Sequence, residues 1–215
     1  MIKEIGKPLE IAVEKELEFV INGKVYRKFC TPKMLKELAI GFLISEGIAR
    51  NLEEIKLEIL ENRIIANVSK DPCIVGRVFL NEKKIQKREG GEKYRVEELR
   101  RYLELLDIEE YKKTRGYHVA MIVVGKEFYR AYDVGRHNAV DKAIGLALLN
   151  GVDLRNSFLV LSGRISREIV EKCANVGIPL VVSKAAILSS AIEFCQEFGI
   201  SAISFATNLA IGEFE

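Results

Sequence analysis

The chain has 215 residues, 48% of them hydrophobic, enough for one large domain or two small ones around a real core. Lys and Arg total 33 against 31 Asp and Glu, a formal charge of +2, with the two signs interspersed. That balance argues against a dedicated nucleic-acid binder, which carries its basic excess on one face.

No charged-then-apolar leader opens the sequence, and no apolar run approaches the roughly 18 residues that span a membrane. A cytoplasmic protein without a membrane partner is expected. Four scattered cysteines, Cys30, Cys73, Cys173 and Cys195, form neither a disulfide framework nor a Cys-x-x-Cys pair.

The first clear element is a hairpin in "LEFVINGKVYRKF" (17–29), where Asn22-Gly23 suits a type I′ turn. "TPKMLKELAIGFLISEG" (31–47) predicts a helix with Thr31 as N-cap, Pro32 at the first helical position and Gly47 as the stop. Two strands are expected near Ile55–Leu60 and Ile64–Val68. Residues 69–95 form a long, charged connection, which in a compact protein is functional or disordered. An amphipathic helix is expected over 96–107.

From residue 117 the pattern changes. "YHVAMIVVG" and "EFYRAYDV" read as strands, "AVDKAIGLALLN" as a helix, and "SFLVLS" as a strand buried on both faces. A helix ending at Gly177, the strand "IPLVVS", a helix ending at Gly199 and the strand "ISAISFA" follow. This alternation predicts an α/β fold with a mostly parallel sheet covered on both faces.

Chain polarity then gathers the polar residues. Four strands run directly into "DVGRHN" (133–138), "SGRIS" (162–166), "SKAAILSS" (183–190) and "ATN" (206–208). Parallel strands would put all four segments at one sheet edge, where open α/β sheets bind ligands. Three helices start there, with Asn138, Ser166 and Ser190 as expected N-caps; Asp141 and Glu193 stand at capping-box spacing. Arg136, Arg164 and Lys184 add cations, Ser183 opens the third turn, and Gly135 and Gly163 allow close approach. The pattern describes an anion site, most naturally for phosphate or pyrophosphate. His137 reads either as a neutral hydrogen-bonding group on the ligand or as a satisfied cap residue. His118 reads as a core or supporting residue.

"YDVGRHNAVDKAIG", "LSGRIS", "GIPLVVSKAAILSSAIE" and "TPKMLKELAIGFLISEGI" together resemble the formate dehydrogenase accessory sulfurtransferase family, FdhD, from about Pro8 to the last strand. The resemblance implies a C-terminal three-layer α/β/α domain (113–215) similar to the cytidine deaminase fold, preceded by a smaller α+β domain (1–112). It implies a sulfur carrier that accepts persulfide sulfur from a cysteine desulfurase. The sulfur passes to the molybdenum or tungsten bis-guanine dinucleotide cofactor, bound as client before insertion into formate dehydrogenase. A homodimer is the base-rate expectation.

Two departures from that family stand out. Its usual Cys-x-x-Cys loop is here "SKDPCIVG", leaving Cys73 as the candidate catalytic residue, with Lys70 and Arg77 favouring a thiolate and Asp71 opposing it. The family's C-terminal segment, implicated in cofactor binding, corresponds to Phe205, Ala206, Thr207, Asn208, Leu209 and Ala210, and the stretch 205–214 holds no basic residue. Cys30, before the expected helix start, ranks second to Cys73; Cys173 and Cys195 read as small buried hydrophobes.

The missing second cysteine also admits an alternative, a cofactor or guanine-nucleotide binding protein without sulfur relay. A zinc deaminase needs His/Cys-x-Glu and Pro-Cys-x-x-Cys; neither histidine has Glu two residues on, and Cys73 is followed by Ile-Val-Gly rather than a second ligand. No metal is expected.

Overall fold

The computed structural model describes residues 5–69 and 94–215. A four-stranded sheet, in the order β2-β1-β4-β3, comes first. It contains β1 (Lys15–Ile21), β2 (Lys24–Cys30), β3 (Ile55–Leu60) and β4 (Arg63–Val68). Helix α1 (Leu35–Ser45) packs on one face. Leu17, Phe19 and Ile21 alternate inward from β1, as period-2 patterning requires, and meet Leu38 and Leu43 of α1. The β1–β2 turn has φ of 45° at Asn22 and 81° at Gly23, as a type I′ hairpin demands.

The second sheet has six strands in the order β10-β9-β8-β7-β5-β6. They are β5 (His118–Val124), β6 (Glu127–Asp133), β7 (Phe158–Leu161), β8 (Leu180–Ser183), β9 (Ser201–Ser204) and β10 (Leu209–Ile211). Helices α4 (Arg136–Leu149), α5 (Arg167–Val176) and α6 (Ser189–Phe198) cover one face. The segment running from the short helix α2 (Val96–Arg101) to the short helix α3 (Glu109–Thr114) covers the other, through Leu99, Leu106 and Ile108. A buried strand pays for its apolar residues on both sides: Met121 and Val123 face one layer, Ala120 and Ile122 the other.

The sheet is more mixed than expected. Only β7–β8 and β8–β9 pair in parallel; β5 is antiparallel to both β6 and β7, and β10 to β9. Two reversals nevertheless restore direction, so β6, β7, β8 and β9 all point the same way. Their carboxyl ends share one edge, as the polar segments required. The amino end of β5 lies there too, with His118 opposite Asp133.

The two sheets are joined through α1 and α4. A Cβ added at Gly41 would lie 1.7 Å from the Asp141 carbonyl oxygen, and one at Gly145 1.9 Å from that of Glu37. The helices therefore cross backbone against backbone, which only glycine permits at these two positions. The first turn of α4 carries Arg136, so this crossing also sets the site.

The expected caps are not the observed ones. Helix α1 is preceded by Met34 at φ 55°, not capped by Thr31; the Thr31 hydroxyl instead accepts from the Val134 amide. Gly135 precedes α4, and Asn138 lies inside its first turn. Ser190 is within α6, which starts after Leu188. Ser166 does precede α5, but its hydroxyl makes no cap bond. The expected helix over 96–107 is divided between α2 and a 3-10 turn at Glu104–Leu106.

Candidate anion site at the strand ends

The turn after β6 is fixed from beneath. Asp133 is fully buried and accepts four hydrogen bonds: from Gly135 N (2.8 Å), Asn138 Nδ2 (3.1 Å), Lys142 Nζ (2.6 Å) and Thr31 N (3.0 Å). Lys142 is also fully buried and donates to the Thr31 carbonyl at 2.9 Å. Asn138 reaches the Phe29 carbonyl at 2.8 Å. Asp133, Asn138 and Lys142 thus bind the turn to the end of β2. Buried charges persist only when paired and hydrogen-bonded, and these are. Asn138, expected as the N-cap in the polar turn 133–138, is part of this support.

Arg136 stands on that platform. A Cβ at Gly163 would come within 3.1 Å of Arg136 Cβ and 3.5 Å of His118 Nδ1, so the missing side chain lets the three residues meet. Arg136 Nε is buried without a hydrogen-bond partner among the described residues. Burial lowers the His118 pKa below the usual histidine value; Arg136 and Arg164 lower it further, while Asp133 opposes. His118 therefore belongs to the cluster, although its place at the start of an apolar strand reads as supporting. Two arginines and an imidazole around a glycine, one guanidinium nitrogen unpaired, form a donor set for a phosphate or similar anion.

The next two turns are tied to this one. Ser183 Oγ donates to the Gly163 carbonyl at 2.6 Å and accepts from Ala185 N at 2.9 Å. The bridge between Ile165 and Ile187 joins the loops again. Ser183 is fully buried and acts as a brace; Lys184 is exposed, 5.8 Å from the Tyr111 ring. Residues 206–208 turn at the end of β9, where Thr207 Oγ1 donates to Ser204 Oγ at 2.7 Å. Leu209 and Ala210 run back along β10, away from the edge. Between the ends of β7 and β10 lie three strand spacings, about 14 Å. The segment 205–210 brings no base of its own, but the Arg100 guanidinium of α2 lies 4.7 Å over the Phe205 ring.

The FdhD/NarQ family model matches residues 12–212. The chain belongs to the FdhD/NarQ family. The sulfur carrier protein FdhD of Shouchella clausii is 31% identical, the match covering 95% of this chain and 89% of that one. That of Methanothermobacter thermautotrophicus is also 31% identical, over 92% of this chain and 86% of the other. The same fold occurs in a crystal structure assigned as a formate dehydrogenase accessory protein from Desulfotalea psychrophila (TM-score 0.74, 23% identity, 95% and 89% coverage).

In this FdhD/NarQ chain His137 turns away from Arg136's neighbours. It lines a cavity with Lys28, Ser45, Glu46, Glu168, Glu171, Lys172 and Asn175, none of which belongs to the Gly163 cluster. Its Nε2 is 2.9 Å from Glu168 Oε2, but without hydrogen-bond alignment. Asp141, expected to cap α4, is fully buried and paired with Lys172 at 2.7 Å.

Three of the chain's cysteines are buried and free. Burial raises the thiol pKa of Cys30, with Asp133 adding to it, pushes that of Cys195 up to about 12, and raises that of Cys173 still more strongly. Cys73 lies outside the described residues. No group of three or more His, Cys, Asp or Glu side chains gathers as a metal site among the described residues, and no helix there is long and apolar enough to cross a membrane.

Proposed function

We propose that this chain is a sulfur carrier serving formate dehydrogenase, as its FdhD relatives are named. Cys73 takes sulfur from a cysteine desulfurase: its thiolate attacks the outer sulfur of the donor persulfide, the donor thiolate leaves, and a persulfide forms on Cys73. The client is a molybdenum or tungsten bis-guanine dinucleotide cofactor, which supplies the metal centre that receives the sulfur. Arg136, Arg164 and His118 hold one of its phosphates, Gly163 gives it close approach, and Lys184 and the Phe205–Asn208 turn extend the contact along the edge.

The observation that carries this reading is the buried, unpartnered Arg136 Nε beside Gly163 and His118. An unpaired buried donor is costly, and an anion would satisfy it. The choice of Cys73 is supported by elimination, since thiolate chemistry near neutral pH is disfavoured at three high-pKa, buried thiols.

The test is loading of the full chain with a cysteine desulfurase and cysteine, followed by mass-spectrometric mapping. One added sulfur on the Cys73 peptide is expected, and none in Cys73→Ala. Equal loading of both proteins refutes the assignment. Guanine-nucleotide binding without any persulfide favours the carrier-free alternative.

A further inference from the structure

The cavity on the far side of the α4 first turn is unused by the function proposed above. It measures about 340 Å³ and opens where β2, α1, α4 and α5 meet. Its polar groups are unevenly satisfied. Lys172 is secured: its ammonium donates to Ser45 Oγ, Glu46 Oε1 and Asp141 Oδ1. Asn175 donates to the Ser45 carbonyl at 2.7 Å, and Arg167 occupies Glu171.

Three groups are left over. Lys28 Nζ rests 4.0 Å from the centre of the Phe42 ring and makes no hydrogen bond among the described residues. His137 Nε2 is buried and has no aligned hydrogen-bond partner among the described residues, with Glu168 Oε2 2.9 Å away; the second carboxylate oxygen of Asp141, which stands behind Ser45 and Lys172 with no exposure, has none either. Burial lowers the Lys28 pKa, with Asp141 only partly opposing. Glu46 and Glu168 keep exposed carboxylate surface at the rim. The cavity is thus lined by the Lys28 ammonium, by the His137 imidazole beside Glu168, and by the carboxylates of Glu46 and Glu168 at its rim.

We propose that this cavity is a second ligand site and takes a small zwitterion of the amino-acid class, its carboxylate on Lys28 and its ammonium on Glu46 and Glu168, beside the His137 ring. A carboxylate alone leaves the acidic rim unmatched and adds repulsion there; an amine alone leaves Lys28 unsatisfied. The site stands independently of the sulfur-carrier reading, because none of its residues lies in the Gly163 cluster.

Titration of the full chain with L-alanine, acetate and methylammonium, followed by calorimetry and the His137 ring resonances, tests it. Saturable binding of L-alanine that shifts those resonances is expected, with acetate and methylammonium at least about tenfold weaker. Lys28→Met and the surface variant Glu168→Gln should each weaken L-alanine about tenfold, and Lys24→Met, an exposed lysine on the same strand, should not. No saturable binding of L-alanine, acetate binding as tightly as L-alanine, or undiminished affinity in a folded Glu168→Gln protein overturns the proposal.

Discussion

Lys142 Nζ lies 2.6 Å from Asp133 Oδ2, and both side chains are fully buried. The pair joins the turn that precedes α4 to the Thr31 backbone, so the end of β2 and the anion cluster share one support. Removing one partner leaves the other charge buried and uncompensated. Lys142→Met should therefore destabilise the protein by about 3–5 kcal/mol in urea unfolding. A loss below about 1 kcal/mol, the range of an exposed pair, would mean that the pair does not hold the turn.

The α1–α4 crossing makes a second prediction. Gly145→Ala places a methyl 1.9 Å from the Glu37 carbonyl oxygen, and neither backbone can yield without separating the two sheets. A cost of at least about 3 kcal/mol is expected, at the top of the overpacking range. Gly125→Ala has nothing within 4 Å and only its φ of 56° to accommodate, so it should cost about 1–2 kcal/mol. Equal melting temperatures for the two variants would contradict the crossing.

Proton linkage at His118 gives a third. Its folded pKa lies below the unfolded value of about 6.5, so the unfolded state takes the proton first. Stability from the neutral imidazole is full above that value and is lost as pH falls toward the folded pKa. A bound anion offsets Arg136 and Arg164 and makes the ring more basic. Sulfate, whose charge is constant here, should therefore bind with proton uptake and more tightly as pH falls from about 7.5 to 5.5. His118→Asn should reduce this pH dependence; an unchanged slope would remove His118 from the site.

Cysteine reactivity gives a fourth. Cys30, Cys173 and Cys195 are buried with raised thiol pKa values, so brief alkylation of the native protein at neutral pH should label Cys73 alone. Fast labelling should vanish in Cys73→Ser and reach the remaining three sites after denaturation. Rapid native labelling of Cys30 would reopen the assignment.

Much of this fold is legible in local sequence because local chemistry decides it. Asn22-Gly23 must turn, Gly177 and Gly199 must end helices, and the apolar strands of residues 158–161 and 180–183 must be buried. The shared polar edge follows from chain direction once β6, β7, β8 and β9 run the same way, which the antiparallel β5 between β6 and β7 permits. The caps fail because Thr31 and Asn138 have better partners 103 and 109 residues away, Val134 N and Phe29 O, which no window of sequence contains. The place of His118 is not legible for a similar reason: β5 reverses direction between β6 and β7, and only that reversal carries its first residue to the strand-end edge. His137 shows the converse. Adjacent to Arg136 in sequence, it leaves the helix toward a different cavity.

The most direct test of the strand-end site is equilibrium binding of GDP to the full chain and to two variants. Arg164 is exposed, so Arg164→Ala keeps the fold intact, and Arg136→Ala removes the unpartnered donor itself. Each should weaken GDP at least about tenfold, the loss of one charge-assisted contact. Native affinity retained in both folded variants would contradict the site.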